Sequence, residues 1–315
     1  MEAVAALVEQ VRREMDKVIV GQEELKTQCL VTLLSHGHAL LEGVPGIAKT
    51  LAVKTLARIL GLEFQRVQCT SDLMPADIIG TNVLNTATSS FQLHKGPVFT
   101  TLLLVDEVNR MPPRTQAALL ESMQERQVTI DGERHALSPY FTVFATQNPV
   151  DFEGTYPLPE AQLDRFLLKI NVSYPQAAEE VQLLARVQSG FDADRLDEIG
   201  IAPVAATALQ AAREEARAVK VQEALFAYIV EIVRRTRVWP ALSLGSSPRA
   251  AVSLLTVSKS MAAIEGRDYL IPDDIKQAVL PVFRHRILVK PEADLEGITA
   301  DQAIQDIIQA VELPK

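Results

Sequence analysis

The run Gly43-Val44-Pro45-Gly46-Ile47-Ala48-Lys49-Thr50 limits what this chain can fold into more than any other feature. It follows a short apolar run, residues 39–41 with Glu42, and opens a helical pattern over 50–60 that stops at Gly61. A glycine-bearing turn between a buried strand and a helix start is the setting of a phosphate-binding loop. Glycines let the backbone curl, successive N–H groups point inward, and the helix N-terminus adds partial positive charge. Lys49 supplies a mobile cation for β- and γ-phosphate oxygens, and Thr50 a hydroxyl for Mg²⁺. Such loops usually carry Gly directly before the lysine, and here the residue is Ala48. Alanine is tolerable there if the position has helical φ/ψ. The bland alternative is an ordinary strand-to-helix turn.

A second feature weighs against that alternative. Residues 101–105 form a continuous apolar run ending in Asp106-Glu107. A strand buried on both faces that delivers two acids at its C-terminal end aims them into the crevice where α/β sheets bind ligands. Asp106 is then expected to hold Mg²⁺ through water, and Glu107 to orient and activate an attacking water. Further strand patterns fall at 62–69, 140–145 and 166–172, separated by helical stretches. Five strands alternating with helices predict an α/β fold: a five-stranded parallel sheet with helices on both faces. Beyond about residue 175 the spacing becomes helical over 176–187, 203–216, 222–237, 248–264, 272–283 and 300–311. Several of these segments start with Pro, whose missing N–H costs nothing at a first helical position. The expected division is a nucleotide-binding domain over 1–174 and a smaller all-α lid over 175–315.

Composition narrows the partners. The chain has 315 residues, 31 Lys and Arg against 40 Asp and Glu, and a formal net charge of −9. Duplex affinity depends on neutralising phosphates with basic residues, so nucleic acid is not the expected partner. No apolar run approaches the ~18 residues of a membrane span, and the start, Met1-Glu2-Ala3-Val4, lacks a basic signal region. The expected location is the cytoplasm. Cys29 and Cys69 read as buried thiols, and His36-Gly37-His38 has no second motif that would make it a metal site.

The two motifs look like Walker A and Walker B of AAA+ ATPases, and the fuller set resembles the MoxR family. The residues carrying that resemblance are Leu41-Glu42-Gly43-Val44-Pro45-Gly46 with Ala48-Lys49-Thr50, Val105-Asp106-Glu107-Val108-Asn109-Arg110, Ala145-Thr146-Gln147-Asn148-Pro149, residues 158–166 ending in Asp164-Arg165-Phe166, and Ser247-Pro248-Arg249-Ala250. Ala48 is itself usual in that family. The resemblance implies that residues 43–51, from Gly43 and Val44 to Leu51, cradle ATP with Asp106. It implies a sensor 1 amide at Asn148 and a sensor 2 cation at Arg249 reaching over the chain's own γ-phosphate. Val20 and Gly21, within 18–22, are expected at the adenine. Arg165 is expected to act as an arginine finger in a neighbour's site. Thr50 and Asp106 are the implied metal residues.

Two insertions are expected. One lies in the second helix at about 72–100. The other is a pre-sensor-1 hairpin at about 126–138, where Asp131-Gly132 signals a tight turn. In related ring motors these elements project toward a pore, and their mixed charges here do not suit a nucleic-acid motor. The implied activity is Mg-dependent ATP hydrolysis in a homo-oligomer, a hexamer. It would drive chaperone-like remodelling, maturation or metal-cofactor insertion of a client protein, with a von Willebrand factor A domain partner. A helicase-like motor and a non-hydrolysing nucleotide-switch scaffold remain as alternatives.

Overall fold

The computed structural model describes residues 1–149, 154–193, 195–205 and 207–313. The chain opens with α1 (Glu2–Met15) and α2 (Glu23–Leu34), then enters the sheet at β1 (Ala39–Glu42), which runs into the loop and α3 (Lys49–Ile59). There follow β2 (Phe64–Gln68), α4 (Pro75–Ile79), the hairpin strands β3 (Gly80–Asn85) and β4 (Ser90–Lys95), and β5 (Leu102–Asp106). Next come α5 (Pro113–Glu125), the hairpin strands β6 (Gln127–Ile130) and β7 (Glu133–Ala136), β8 (Thr142–Gln147), α6 (Glu160–Leu163) and β9 (Leu168–Asn171).

The main sheet has the order β2-β5-β8-β1-β9, and every neighbouring pair is parallel. Strand β5 is buried along its whole length, as a two-sided apolar run requires. From β1 the chain crosses to the far edge at β2, returns through β5 and β8, and finishes on the other side of β1 at β9. That reversal leaves a crevice at the C-terminal end of β1, where the loop sits.

The hairpin β6–β7 turns on Asp131 and Gly132, with φ of +50° and +86°. Two successive positive φ values match the right-handed twist of the strands, which is why Asp-Gly serves there. The insertion at 72–100 is the short α4 and the hairpin β3–β4. Asn82 in β3 donates from Nδ2 to Asp131 Oδ2 at 2.8 Å, so the two hairpins stand side by side.

The second half contains α7 (Ala177–Gln188), α8 (Ala208–Arg217), α9 (Glu223–Val238), β10 (Leu242–Leu244), α10 (Pro248–Ile264), α11 (Pro272–Phe283), β11 (Leu288–Val289), α12 (Pro291–Leu295) and α13 (Ala300–Ala310). The lid is helical as expected, with one short addition: β10 and β11 pair antiparallel. Strands this short carry too few residues for an alternation to register. Helix α1 packs against α8 and α10 as well as α3, so one apolar core runs from Val4 through the sheet to Ile307.

Candidate active site

The loop leaves β1 at Gly43, where the backbone passes close to the end of β9. A Cβ there would lie 2.6 Å from the Val172 carbonyl oxygen and 2.6 Å from Ile47 Cδ1, so only glycine fits. Ala48 has φ +67° and ψ +16°. The condition set for alanine, helical φ/ψ, fails: the residue is left-handed, a conformation costing an L-residue roughly 1–2 kcal/mol. The preference for glycine at this position in other loops has the same origin.

A cavity of about 340 Å³ holds residues 45–51 together with Asp106, Glu107 and Asn148. Lys49 Nζ donates to the Gly43 and Val44 carbonyls, the latter at 3.0 Å. Burial lowers its pKa, against the opposing fields of Asp106, Glu107 and Glu42. Thr50 Oγ1 donates to Asp106 Oδ1 at 3.0 Å. A hydroxyl and a carboxylate held in contact beside a phosphate loop are hard oxygen donors of the kind Mg²⁺ takes alongside substrate phosphates, so these residues fit the ion. Asp106 Oδ1 also accepts from Thr146 Oγ1 at 3.1 Å, and the Glu107 N–H donates to the same hydroxyl at 2.9 Å. Thr146 thus ties both acids to β8.

Glu107 is left-handed too, with φ +58°. Backbone strain of this kind at an acid facing a cavity is common in catalytic centres. Its Oε2 accepts from Gln68 Nε2 at 3.0 Å and lies 3.3 Å from Arg110 Nη1. Asp106 Oδ2 meets Arg66 Nε at 2.6 Å. Arg66 and Gln68 had no place in the sequence reading. They alternate along β2, so both side chains leave the same face, and the register Gln68↔Asp106 sets them against the two acids.

Val20 and Gly21 lie outside this cavity. Gly21 sits against the first turn of α7: a Cβ on it would lie 2.1 Å from Glu179 Oε1, and the next residue, Gln22, donates from Nε2 to the Ser173 carbonyl at 2.9 Å. Val18 and Ile19 are buried in the core.

Arg165 and Arg249 are elsewhere. The loop, Asp106 and Asn148 lie at or just beyond the C-terminal ends of parallel strands, whereas Arg165 precedes β9. Ala39 pairs with Leu168, so the length of the sheet, ~10 Å over four residues, separates the two ends. Arg165 Nη1 donates to the Leu120 carbonyl at 2.8 Å. It lines a second cavity of about 470 Å³ with Arg249, Arg126, His36, Asp164 and Arg286. The expectation that Arg249 reaches its own phosphate site is corrected: it faces Arg165's cavity, 3.8 Å from Asp164. The reason lies in how the lid is fastened. Arg286 is buried and donates from Nε to Asp164 Oδ1 at 2.7 Å and from Nη2 to the Phe166 carbonyl at 2.7 Å. His285 Nε2 hydrogen-bonds the Phe166 carbonyl at 2.9 Å, and Arg284 donates to that of Lys169 at 3.3 Å. Residues 284–286 therefore hold the lid against the start of β9, away from the loop.

His36 and His38 bond main-chain groups. His38 Nδ1 accepts from the Val143 N–H at 2.9 Å, so Nε2 donates to the Met123 carbonyl. Cys29 and Cys69 are buried, and burial pushes both thiols up to about 12.

A phosphate loop at a sheet crossover after β1, two acids at the end of β5 one strand further across, and a helical lid define a P-loop ATPase of the AAA+ class. The sequence profile of the ATPase family associated with various cellular activities (AAA) matches residues 38–168, and that of the AAA lid domain matches 234–307. Chaperone MoxR1 of Mycobacterium tuberculosis is 41% identical over 332 residues, covering 100% of this chain and 85% of that protein. Protein MoxR of Methylorubrum extorquens is 31% identical, covering 95% and 92%. A Cytophaga hutchinsonii crystal structure, assigned provisionally as an ATPase, superposes with a TM-score of 0.89 at 41% identity, covering 100% and 98%. The chain belongs to the MoxR family of AAA+ ATPases, binds nucleotide and is an ATPase. No helix among the described residues is long and apolar enough to cross a membrane.

Proposed function

We propose that this chain hydrolyses ATP in a head-to-tail homo-oligomer, a hexameric ring, in which Arg165 and Arg249 of one subunit complete the site of the next. The observation carrying this reading is the polarity of the sheet. Loop and acids lie at the C-terminal edge, and both arginines line a separate cavity at the N-terminal edge. Phosphoryl transfer leaves charge on the γ-phosphate oxygens, and a well-placed guanidinium contributes ~10³–10⁵ in rate.

The remaining roles follow from the contacts. Lys49 exchanges its two loop carbonyls for phosphate oxygens, a stronger charge-assisted pairing. Mg²⁺, held by Thr50 and Asp106, would supply neutralising charge at the phosphates. Glu107 takes the proton of the attacking water once its carboxylate leaves Gln68 and Arg110. Asn148 lines the same cavity and offers an uncharged amide to that water or the γ-phosphate.

The work is chaperone-like remodelling or maturation of a protein client, assisted by a von Willebrand factor A domain partner. The β3–β4 hairpin supports a protein client: Val83, Leu84 and Phe91 stand exposed, Phe91 at 72%, and its one formal cation is Lys95. Apolar surface suits a polypeptide, whereas a DNA motor needs basic residues. A many-fold, salt-dependent stimulation of turnover by DNA would replace this reading with the nucleic-acid motor.

The test is mixing. Lys49→Ala chains cannot use their own pocket but keep both arginines. Arg165→Ala and Arg249→Ala chains keep the pocket. Each variant alone should be inactive. An equal random mixture of Lys49→Ala with either arginine variant should regain up to about a quarter of the wild-type rate, since one interface in four pairs an intact pocket with intact arginines. Mixed rings that stay inactive, or dilute monomers at full rate, refute the trans assignment.

A further inference from the structure

The carboxylate next to the finger joins the lid to it. Asp164 Oδ1 accepts from Arg286 Nε at 2.7 Å, while Oδ2 lies 3.5 Å from Ser247 Oγ and 3.8 Å from Arg249 Nη1. One side chain therefore touches three lid residues, and Arg165 is the next residue along the chain.

Its contacts are of two kinds. Arg286 is 6% exposed and also donates to the carbonyls of Phe166, Leu167 and Val282, so it is fixed in place. Arg249 is about half exposed, and 3.8 Å is too long for a hydrogen bond. Charge alone holds it. Among the described residues Asp164 is its one ion-pair partner. A γ-phosphate, with more charge and several oxygens for a planar guanidinium, can take it over.

We infer that Asp164 is a positioning residue for hydrolysis in the neighbouring subunit: anchored to Arg286, it sets the spacing between Arg165 and Arg249 so that both meet one γ-phosphate. This rests on the trans reading above. Without the carboxylate, Arg249 loses the group that points it toward Arg165's cavity, and the finger segment keeps only main-chain carbonyl ties to the lid. A misplacement of about 1 Å in a positioned group can cost ~10²-fold in rate.

The experiment uses full-length chains and measures ATP affinity, ring assembly and turnover for Asp164→Asn. ATP should bind with unchanged Kd, and turnover should fall about 10- to 100-fold. The mixing readout then separates a positioning role from general damage. Asp164→Asn chains have intact pockets, so mixing with Lys49→Ala chains should regain activity. Mixing with Lys49→Ala/Asp164→Asn double-variant chains should not. Asp164→Glu keeps the charge on Arg286 but shifts the carboxylate by one methylene. If Asp164→Asn fails to assemble, Asp164→Glu carries the test, with a smaller fall and the same one-sided rescue. Turnover within twofold of wild type, or no regain with Lys49→Ala chains, overturns the inference. Failure of Arg165→Ala and Arg249→Ala to be rescued by Lys49→Ala refutes the ring reading itself, so the two failures are distinguishable.

Discussion

Arg286 and Asp164 make a sharp prediction about stability. Arg286→Met keeps most of the aliphatic bulk and removes the guanidinium that donates to the Asp164 carboxylate and the Leu167 carbonyl, leaving the Phe166 carbonyl with His285 alone. Breaking a buried pair from one side costs about 3–5 kcal/mol, mostly the orphaned charge. An unfolding entropy of ~2.1 cal/mol/K per residue over 315 residues gives ~0.66 kcal/mol/K, so Tm should drop by about 5–8 °C. Asp164→Asn strands the buried guanidinium instead and should cost a similar amount. The double variant removes both charges, so its loss should fall short of the sum by about 2 kcal/mol. Calorimetry and denaturant titration of the four proteins, without nucleotide, measure this cycle. Additivity within about 0.5 kcal/mol would mean that the two side chains do not share an interaction, and the Arg286–Asp164 anchor would be refuted.

Other outcomes follow from single contacts. Lys49→Ala should abolish ATP binding, whereas Glu107→Gln should bind ATP and retain it unhydrolysed; a Glu107→Gln enzyme at the wild-type rate removes Glu107 from the chemistry. Ala48→Gly should stabilise the nucleotide-free protein by about 0.5–1 kcal/mol, because it relieves a left-handed alanine at some entropic cost; a destabilised variant in urea titration contradicts this. Acid should weaken the fold through His38 and His285, whose pKa values burial depresses, that of His38 to about 4. Unfolded histidines titrate near ~6.5, so below that the unfolded chain binds more protons and stability falls as pH falls, for His38 by ~1.4 kcal/mol per unit down to about 4, with His285 acting in the same direction. Denaturation midpoints that stay flat from pH 7.5 to 5 would contradict that sign.

The parts legible in the sequence were those with strong local causes. Two-sided burial made β5 a continuous apolar run, and Pro248 and Pro272 marked the starts of α10 and α11. The Asp-Gly turn gave away the β6–β7 hairpin. What escaped depends on pairing across the fold. Arg66 and Gln68 acquire meaning only once β2 lies beside β5, and nothing in 64–68 distinguishes them from solvated edge residues. Arg249 sits by Arg165 because residues 284–286 grip 164–169, contacts more than 110 residues apart in sequence. Ala48 carries no mark of its φ.

The amino end of α1 is finished by a residue from the other end of the fold. Glu215 in α8 accepts from the N–H groups of Ala3 and Val4 at 3.2 and 3.0 Å and lies 3.4 Å from the terminal amine. On a ribosome adding ~5–20 residues per second, α1 emerges some 10–40 s before Glu215 exists. Through that interval its free amides have no carboxylate, and its apolar stripe of Val4, Leu7, Val8, Val11 and Met15 has neither α8 nor α10 to cover it. Alone, a helix of this length is marginal in water. Helix α1, made before α8 and α10, thus cannot settle until they arrive. A nascent chain stalled before α8 should expose a sticky, half-formed amphipathic segment to whatever holdase binds first, and protease protection of residues 1–15 should appear only after α8 and α10 have cleared the exit tunnel.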